Sequence, residues 1–106
     1  MRRWEKFAGD LADRILSALD YFCWNVSGDS PLECYSAHAD LDLYELAEEF
    51  AEWSTFGIKE SDLERLREMP DEVYDKYTKM VQREIERTIR EIKREFYEND
   101  YEDEDE

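Results

Sequence analysis

Apolar residues recur every three or four positions through most of this chain, which is the spacing of amphipathic helices. The first run predicts one long helix from the N-terminal residues to near Ser27-Gly28. Its apolar positions are Trp4, Phe7, Leu11, Ile15, Leu19, Phe22 and Val26. The last run predicts a helix of about 26 residues from Asp71, and at about 1.5 Å per residue it would be roughly 40 Å long. Its apolar positions are Val73, Tyr77, Val81, Ile85, Ile89, Ile92 and Phe96.

Start and stop signals predict shorter helices between these two. The segment Ser30-Pro31-Leu32-Glu33 reads as a capping box with proline at the first helical position, and it predicts a short helix to about Ala39. A second box, Ser61-Asp62-Leu63-Glu64, predicts the start of a brief helix that Pro70 stops.

A third helix is predicted between them, with Asp42 and Glu45 forming its cap and Gly57 ending it in a left-handed conformation, followed by the apolar Ile58. Its inward face would comprise Leu43, Leu46, Ala47 and Phe50, with Trp53 or Ser54. No segment alternates in the manner of a strand. The pattern therefore predicts an all-α fold with two long helices framing two or three short ones.

The length of 106 residues predicts a single domain, which we assign to residues 1–97. Three Trp, seven Tyr and five Phe provide enough apolar surface for a core although 42% of residues are charged. Residues 98–106 contain seven acids and no base, so we expect a disordered acidic tail there.

The net charge of −16, from 30 acidic and 14 basic residues, disfavours direct binding to nucleic acid or to an anionic membrane. A basic protein partner is expected instead. No apolar run approaches the ~20 residues that span a bilayer, and the N-terminal segment does not resemble a secretory signal. Two cysteines, Cys23 and Cys34, are too few for a disulfide framework, so a reducing cytoplasm is the expected compartment.

The acidic residues are segregated along the chain. Residues 15–58 contain nine acids and no Lys or Arg, whereas residues 59–97 contain eleven acids and ten bases. We take these nine as candidate partner-binding residues: Asp20, Asp29, Glu33, Asp40, Asp42, Glu45, Glu48, Glu49 and Glu52. In the C-terminal helix, by contrast, opposite charges three and four residues apart indicate an ordinary solvated surface.

Four of the nine, Glu45, Glu48, Glu49 and Glu52, share one face of the third helix and are called the acidic stripe below. Its two like-charge pairs four residues apart should each cost about 0.2–0.5 kcal/mol. The carboxylates would lie about 6 Å apart, similar to successive phosphates of a nucleic-acid strand. Two interpretations follow: a solvated face, or an imitation of DNA that binds a groove built for phosphates.

The order of several segments resembles the Ocr family of phage antirestriction proteins. These segments are Ala37-His38-Ala39-Asp40, the aromatic and acidic helix 44–56, Gly57-Ile58, Met69-Pro70-Asp71 opening a long helix, and the acidic tail. The resemblance covers about two thirds of the chain, from Leu32 to Thr88 and the tail. The nearly charge-balanced C-terminal helix departs from the family, which is acidic nearly throughout.

The resemblance implies a small, acidic, mostly helical dimer that imitates bent B-form DNA, occupies the DNA groove of a type I restriction-modification enzyme and does no chemistry. The functional residues would be Asp40, Asp42 and the acidic stripe, together with the tail. The target could equally be a CRISPR effector, and the compartment would be the host cytoplasm. The long apolar line of the last helix also suggests a homodimer.

Cys34 and His38, four residues apart on the short second helix, form the one constellation with metal-binding spacing. Zinc could take Cys23 or Asp40 as further ligands. Buried cysteines with a hydrogen-bonded histidine are the alternative, and we favour it because the paired short Cys spacings of structural zinc sites are absent. No catalytic motif is present, so neither an enzyme nor a cofactor is expected.

The aromatic residues also have two interpretations. Core packing is expected for Trp4, Trp24 and Trp53, which lie on or beside apolar stripes. Four tyrosines could instead lie at a partner interface, where an amphipathic ring is useful: Tyr35, Tyr44, Tyr74 and Tyr97. The competing function is accordingly a helical adaptor or antitoxin-like module that binds its partner through an apolar groove.

Overall fold

The computed structural model describes residues 2–96, and all of the regular elements in that range are helices. They are α1 (Arg2–Asn25), α2 (Pro31–His38), α3 (Leu43–Ala51), α4 (Glu60–Glu68) and α5 (Asp71–Phe96), with a single 3₁₀ turn at Ser54–Phe56. The prediction of an all-α fold with two long helices and several short ones is confirmed. The predicted acidic tail at 98–106 lies outside the described residues.

The helix α1 is at the centre of the packing, because it contacts α5, α2, α3 and the 3₁₀ turn. The helix α2 also packs on α5, and α4 packs on α3. Leu11, Ile15 and Leu19 of the predicted apolar run are at most 1% exposed, and Ala8 and Ala12, which are outside that run, are fully buried beside them. One core therefore joins both long helices and holds α3 against them.

Most of the apolar line of α5, as far as Ile92, is covered within the chain. Val81 and Ile85 are fully buried, and Ile92 near the end of the helix is 5% exposed. The length of this line was one reason to expect a homodimer. Because α1 and α2 cover it, that reason no longer applies.

Two helix boundaries differ from their predicted positions. The helix α3 ends at Ala51 instead of continuing to Gly57, since the N–H of Trp53 donates to the carbonyl of Phe50 at 3.1 Å and tightens the chain into the 3₁₀ turn. This rotation leaves Trp53 40% exposed rather than inward. The helix α4 begins at Glu60, before the predicted cap.

The start of α4 is set by a different residue from the one predicted. The carboxylate of Asp62 accepts the backbone N–H of Lys59 at 3.0 Å, and the N–H of Asp62 donates to the Lys59 carbonyl. These bonds start the helix two residues before Ser61 would. Gly57 does adopt the predicted left-handed conformation, with φ of 75°.

The two cysteines form a disulfide, which corrects the prediction of two buried free thiols. A short loop after α1 folds α2 back along it, and this brings the Cα atoms of Cys23 and Cys34 to 5.5 Å. That separation is ordinary for a disulfide. The disulfide also removes cysteine usage as an argument for a reducing compartment. Among residues 2–96, no helix is both long enough and apolar enough to cross a membrane.

Candidate functional site

The helix α3 holds the acidic stripe in a fixed orientation. At its start, the Asp42 carboxylate accepts the N–H of Glu45 at 2.9 Å, and the Glu45 carboxylate accepts the N–H of Asp42 at 3.2 Å. This reciprocal pair is the predicted capping box. The opposite face of the helix is at most 1% exposed and consists of Leu43, Leu46, Ala47 and Phe50. Burial of that face therefore fixes which way the glutamates point.

The stripe lines one side of an open groove of about 400 Å³. The residues around this groove are Phe22, Glu45, Glu48, Glu49, Glu52 and Trp53. Glu45, Glu48 and Glu52 are exposed, and no lysine or arginine in the described part of the chain forms an ion pair with any of them. The groove is therefore anionic on one side and aromatic on the other.

The fourth member of the stripe is tied to the second helix. The Nε2 atom of His38 lies 3.0 Å from the Glu49 carboxylate, and its Nδ1 atom lies 2.7 Å from the carbonyl of Cys34. Both partner atoms are oxygens that accept hydrogen bonds. The ring is buried and stacks on Phe50. The predicted hydrogen-bonded histidine is confirmed, and it joins α2 to α3 beside the stripe.

The fold excludes the zinc site considered from the sequence. Both sulfurs belong to the disulfide, so neither Cys23 nor Cys34 is available as a thiolate ligand. Asp40 is exposed in the turn after α2, and both ring nitrogens of His38 are within hydrogen-bond distance of protein oxygen atoms. Across residues 2–96, no group of His, Cys, Asp or Glu has the arrangement of a metal site.

Two of the predicted binding residues, Asp20 and Asp42, also form contacts that stabilise the fold. The hydroxyl of Tyr35 donates to the Asp20 carboxylate at 2.7 Å, joining α2 to α1. Burial and this bond raise the pKa of Tyr35 well above its ordinary value. Similarly, the hydroxyl of Tyr74 in α5 accepts the N–H of Tyr44 in α3 at 3.1 Å, next to the carboxylate of Asp42. Burial, reinforced by Asp42, raises the pKa of Tyr74 to about 12.

The remaining three predicted residues are exposed but lie on other elements. Asp29 is in the loop before α2, Glu33 is in the first turn of α2, and Asp40 follows α2. No described lysine or arginine pairs with them either. Of the nine predicted residues, the four of the stripe are thus the ones that line a common groove.

The expectation of core packing is wrong for Trp24 and Trp53, which are 46% and 40% exposed, and Tyr97 lies outside the described residues. Tyr35 is buried, whereas Tyr21 is 50% exposed near the end of α1 and packs edge-on against Phe56 at 5.9 Å. Phe56 in turn contacts Trp53 at 6.0 Å. Tyr21 lies outside the apolar run of α1, and this was the available signal that it faces solvent. We call Tyr21, Phe56 and Trp53 the aromatic ridge.

No protein-family model matches this sequence, and neither a curated protein nor a solved structure gave a match. The resemblance to the Ocr family therefore rests on the order and spacing of the residues quoted above.

Proposed function

We propose that this protein is a non-enzymatic inhibitor that imitates DNA and occupies the basic DNA-binding groove of a bacterial defence enzyme. The target class is a type I restriction-modification enzyme or a CRISPR effector. One observation supports this most directly: the glutamates of the acidic stripe line one groove, and Glu45, Glu48 and Glu52 have no lysine or arginine partner in the described part of the chain.

The spacing of the stripe is consistent with this function. From Glu45 to Glu52 the helix advances about 10.5 Å, at about 1.5 Å per residue. Four carboxylates over this length give one charge per roughly 3.5 Å of helix axis, close to the roughly 3.4 Å of duplex axis per phosphate of one DNA strand. A groove whose lysines and arginines are arranged for a phosphate strand would meet carboxylates at a similar interval.

The proposal predicts that binding depends on salt, since a partner that neutralises several carboxylates gains much of its affinity from electrostatic attraction. Affinity for the target should fall steadily between low and moderate NaCl concentrations. Duplex DNA should compete with the protein, because both would occupy the same groove.

A pull-down from bacterial lysate, with and without excess duplex DNA, tests this directly. The proteins that DNA displaces are identified and the interaction is repeated with purified components. A target that binds duplex DNA and this protein at the same time would refute mimicry. A target that DNA excludes, with matching loss of its DNA cleavage or binding, is the expected result.

A matched pair of variants assigns the effect to the stripe. The variant E45Q/E48Q/E52Q keeps the His38–Glu49 bond and a glutamine at the capping-box position, so it should fold normally. The control E68Q/E72Q/E86Q neutralises three exposed glutamates elsewhere and changes the net charge equally. Inhibition should weaken at least tenfold in the first variant and little in the control. Equal effects would mean that only net charge matters.

The exposed Tyr21 and Trp53 favour a second candidate, a helical adaptor or antitoxin-like module that binds through apolar contact. Such a complex would survive high salt and would be lost on replacing the aromatic residues. Measuring affinity for the captured partner at two NaCl concentrations separates the two functions.

A further inference from the structure

The three residues of the aromatic ridge lie along two open grooves, with Tyr21 and Phe56 lining one and Trp53 lining the other. Its rings are in contact in series, with centroids 5.9 Å apart for Tyr21 and Phe56 and 6.0 Å apart for Phe56 and Trp53. One groove contains the acidic stripe. The other, of about 370 Å³, runs along α1 past Tyr21 and Phe56. Half-exposed Tyr and Trp side chains are the residues most enriched among energetically dominant contacts in protein interfaces.

The ridge has a rigid support. Phe22 and Phe56 both pack against Phe50, with centroids 5.8 and 5.4 Å from it, and Phe50 is fully buried. Trp53 contacts both Phe22 and Phe56. The indole is therefore held on one side by fixed rings while 40% of the Trp53 surface is exposed. A partner group that stacks on it would lose little affinity to reordering of the protein.

The chain covers two other aromatic surfaces with its own arginines. The guanidinium of Arg65 lies 4.0 Å from the ring centre of Phe7. That of Arg67 lies 5.3 Å from the ring centre of Tyr44 and donates to the Tyr44 hydroxyl at 2.7 Å. Within residues 2–96, no lysine or arginine is stacked on a ring of the ridge. The nearby Arg14 is bound to Asp10 and Asp62 instead.

We propose that the aromatic ridge is a docking surface for an arginine-bearing segment of a protein partner, with an arginine stacked on Trp53 and paired with the acidic stripe. Charge complementarity selects this occupant, because glutamates line the groove beside the indole. Arginine fits better than lysine, since its planar guanidinium stacks on an aromatic face and binds a carboxylate through two parallel hydrogen bonds. The inference rests on the proposed function for its use of the stripe, and it adds the chemistry of the contacting residue.

Two peptides of equal charge test the preference, nona-arginine and nona-lysine. Their affinities for the full chain are measured by calorimetry in 0.1 M NaCl, and the three Trp indole N–H signals are followed by NMR after assignment by single substitutions. Nona-arginine should bind about two- to fivefold more tightly, as expected for stacking at an exposed site. The signal of Trp53 should shift most.

Variants of the aromatic ridge show which residue causes the preference for nona-arginine. In W53L, which keeps an apolar side chain on Phe56, the ratio of the two affinities should fall close to one. In Y21A, which leaves the indole in place, the ratio should fall only in part, and this second variant remains informative if W53L does not fold. The control M80A removes another exposed apolar side chain, on α5, and should keep the full ratio.

Several results would refute the proposal that the aromatic ridge is a docking surface. Equal affinities for the two peptides would do so, as would an unchanged ratio in W53L or shifts centred on another indole. A Trp53 signal that moves with protein concentration in the absence of peptide would show that a second copy covers the ridge. Failure of the proposed function would look different. The protein would still prefer nona-arginine to nona-lysine, but duplex DNA would not compete with the protein for its target.

Discussion

Reducing the Cys23–Cys34 disulfide should lower the free energy of unfolding by about 3 kcal/mol. The two residues are 11 apart in sequence, and closing a loop of this length removes about that much conformational entropy from the unfolded chain at 25 °C. Both side chains are buried, at 2% and 4% exposure, so the freed thiols would stay in the core with little change in packing. The loop-closure entropy should therefore account for most of the change in the free energy of unfolding.

Urea unfolding followed by far-UV circular dichroism, with and without a phosphine reductant, measures this difference. With a denaturant dependence of about 1.5 kcal/mol per molar urea, the midpoint should move down by about 2 M. The variant C23A/C34A is the control: its midpoint should resemble that of the reduced protein and should not respond to reductant.

Two results would refute this reasoning. One is the appearance of two reactive thiols when the protein is denatured without reductant, since the disulfide would then not exist in solution. The other is an unchanged midpoint after complete reduction, which would mean that packing of α2 on α1 and α5, and not the cross-link, holds this region.

Three further predictions concern single positions. Because the folded-state pKa of Tyr74, about 12, exceeds the ordinary 10.0, its contribution to stability is full below pH 10 and is lost as the pH rises toward 12; Y74F should flatten the alkaline limb of unfolding free energy against pH. G57A should destabilise by about 1 kcal/mol in urea unfolding, since its φ of 75° strains a side chain although space is open. G9A should instead stabilise the protein by about 0.5–1 kcal/mol in the same assay, because Gly9 lies inside α1, where alanine is the better helix former. The new Cβ would be 3.7 Å from Tyr77 of α5, which is an ordinary contact distance.

Much of the helical architecture could be predicted from the sequence, because local signals determine it. The Asp42 capping box, Pro31 at the first position of α2 and the left-handed Gly57 all act over a few residues, and each is found as expected. The apolar run of α5 likewise identifies its buried side, since Val81 and Ile85 are completely buried.

The features that sequence reasoning missed depend on contacts between elements. The disulfide requires α2 to fold back along α1, which no local signal around Cys23 or Cys34 specifies. The exposure of Trp53 depends on the 3₁₀ turn, which ends the regular helix before Trp53 and brings Phe56 against Phe50 at 5.4 Å. The ridge thus arises where the predicted helix ends early.

The energetics of α3 explain why the acidic stripe can exist without explaining why it does. Its two like-charge pairs cost at most about 1 kcal/mol together. Burial of Leu43, Leu46 and Phe50 on the opposite face contributes roughly 1.5–3 kcal/mol each, several times more. The helix would therefore keep its place if lysines alternated with the glutamates, and it would be slightly more stable. Folding does not require an unmixed row of carboxylates, whereas binding to the proposed cationic partner would require one.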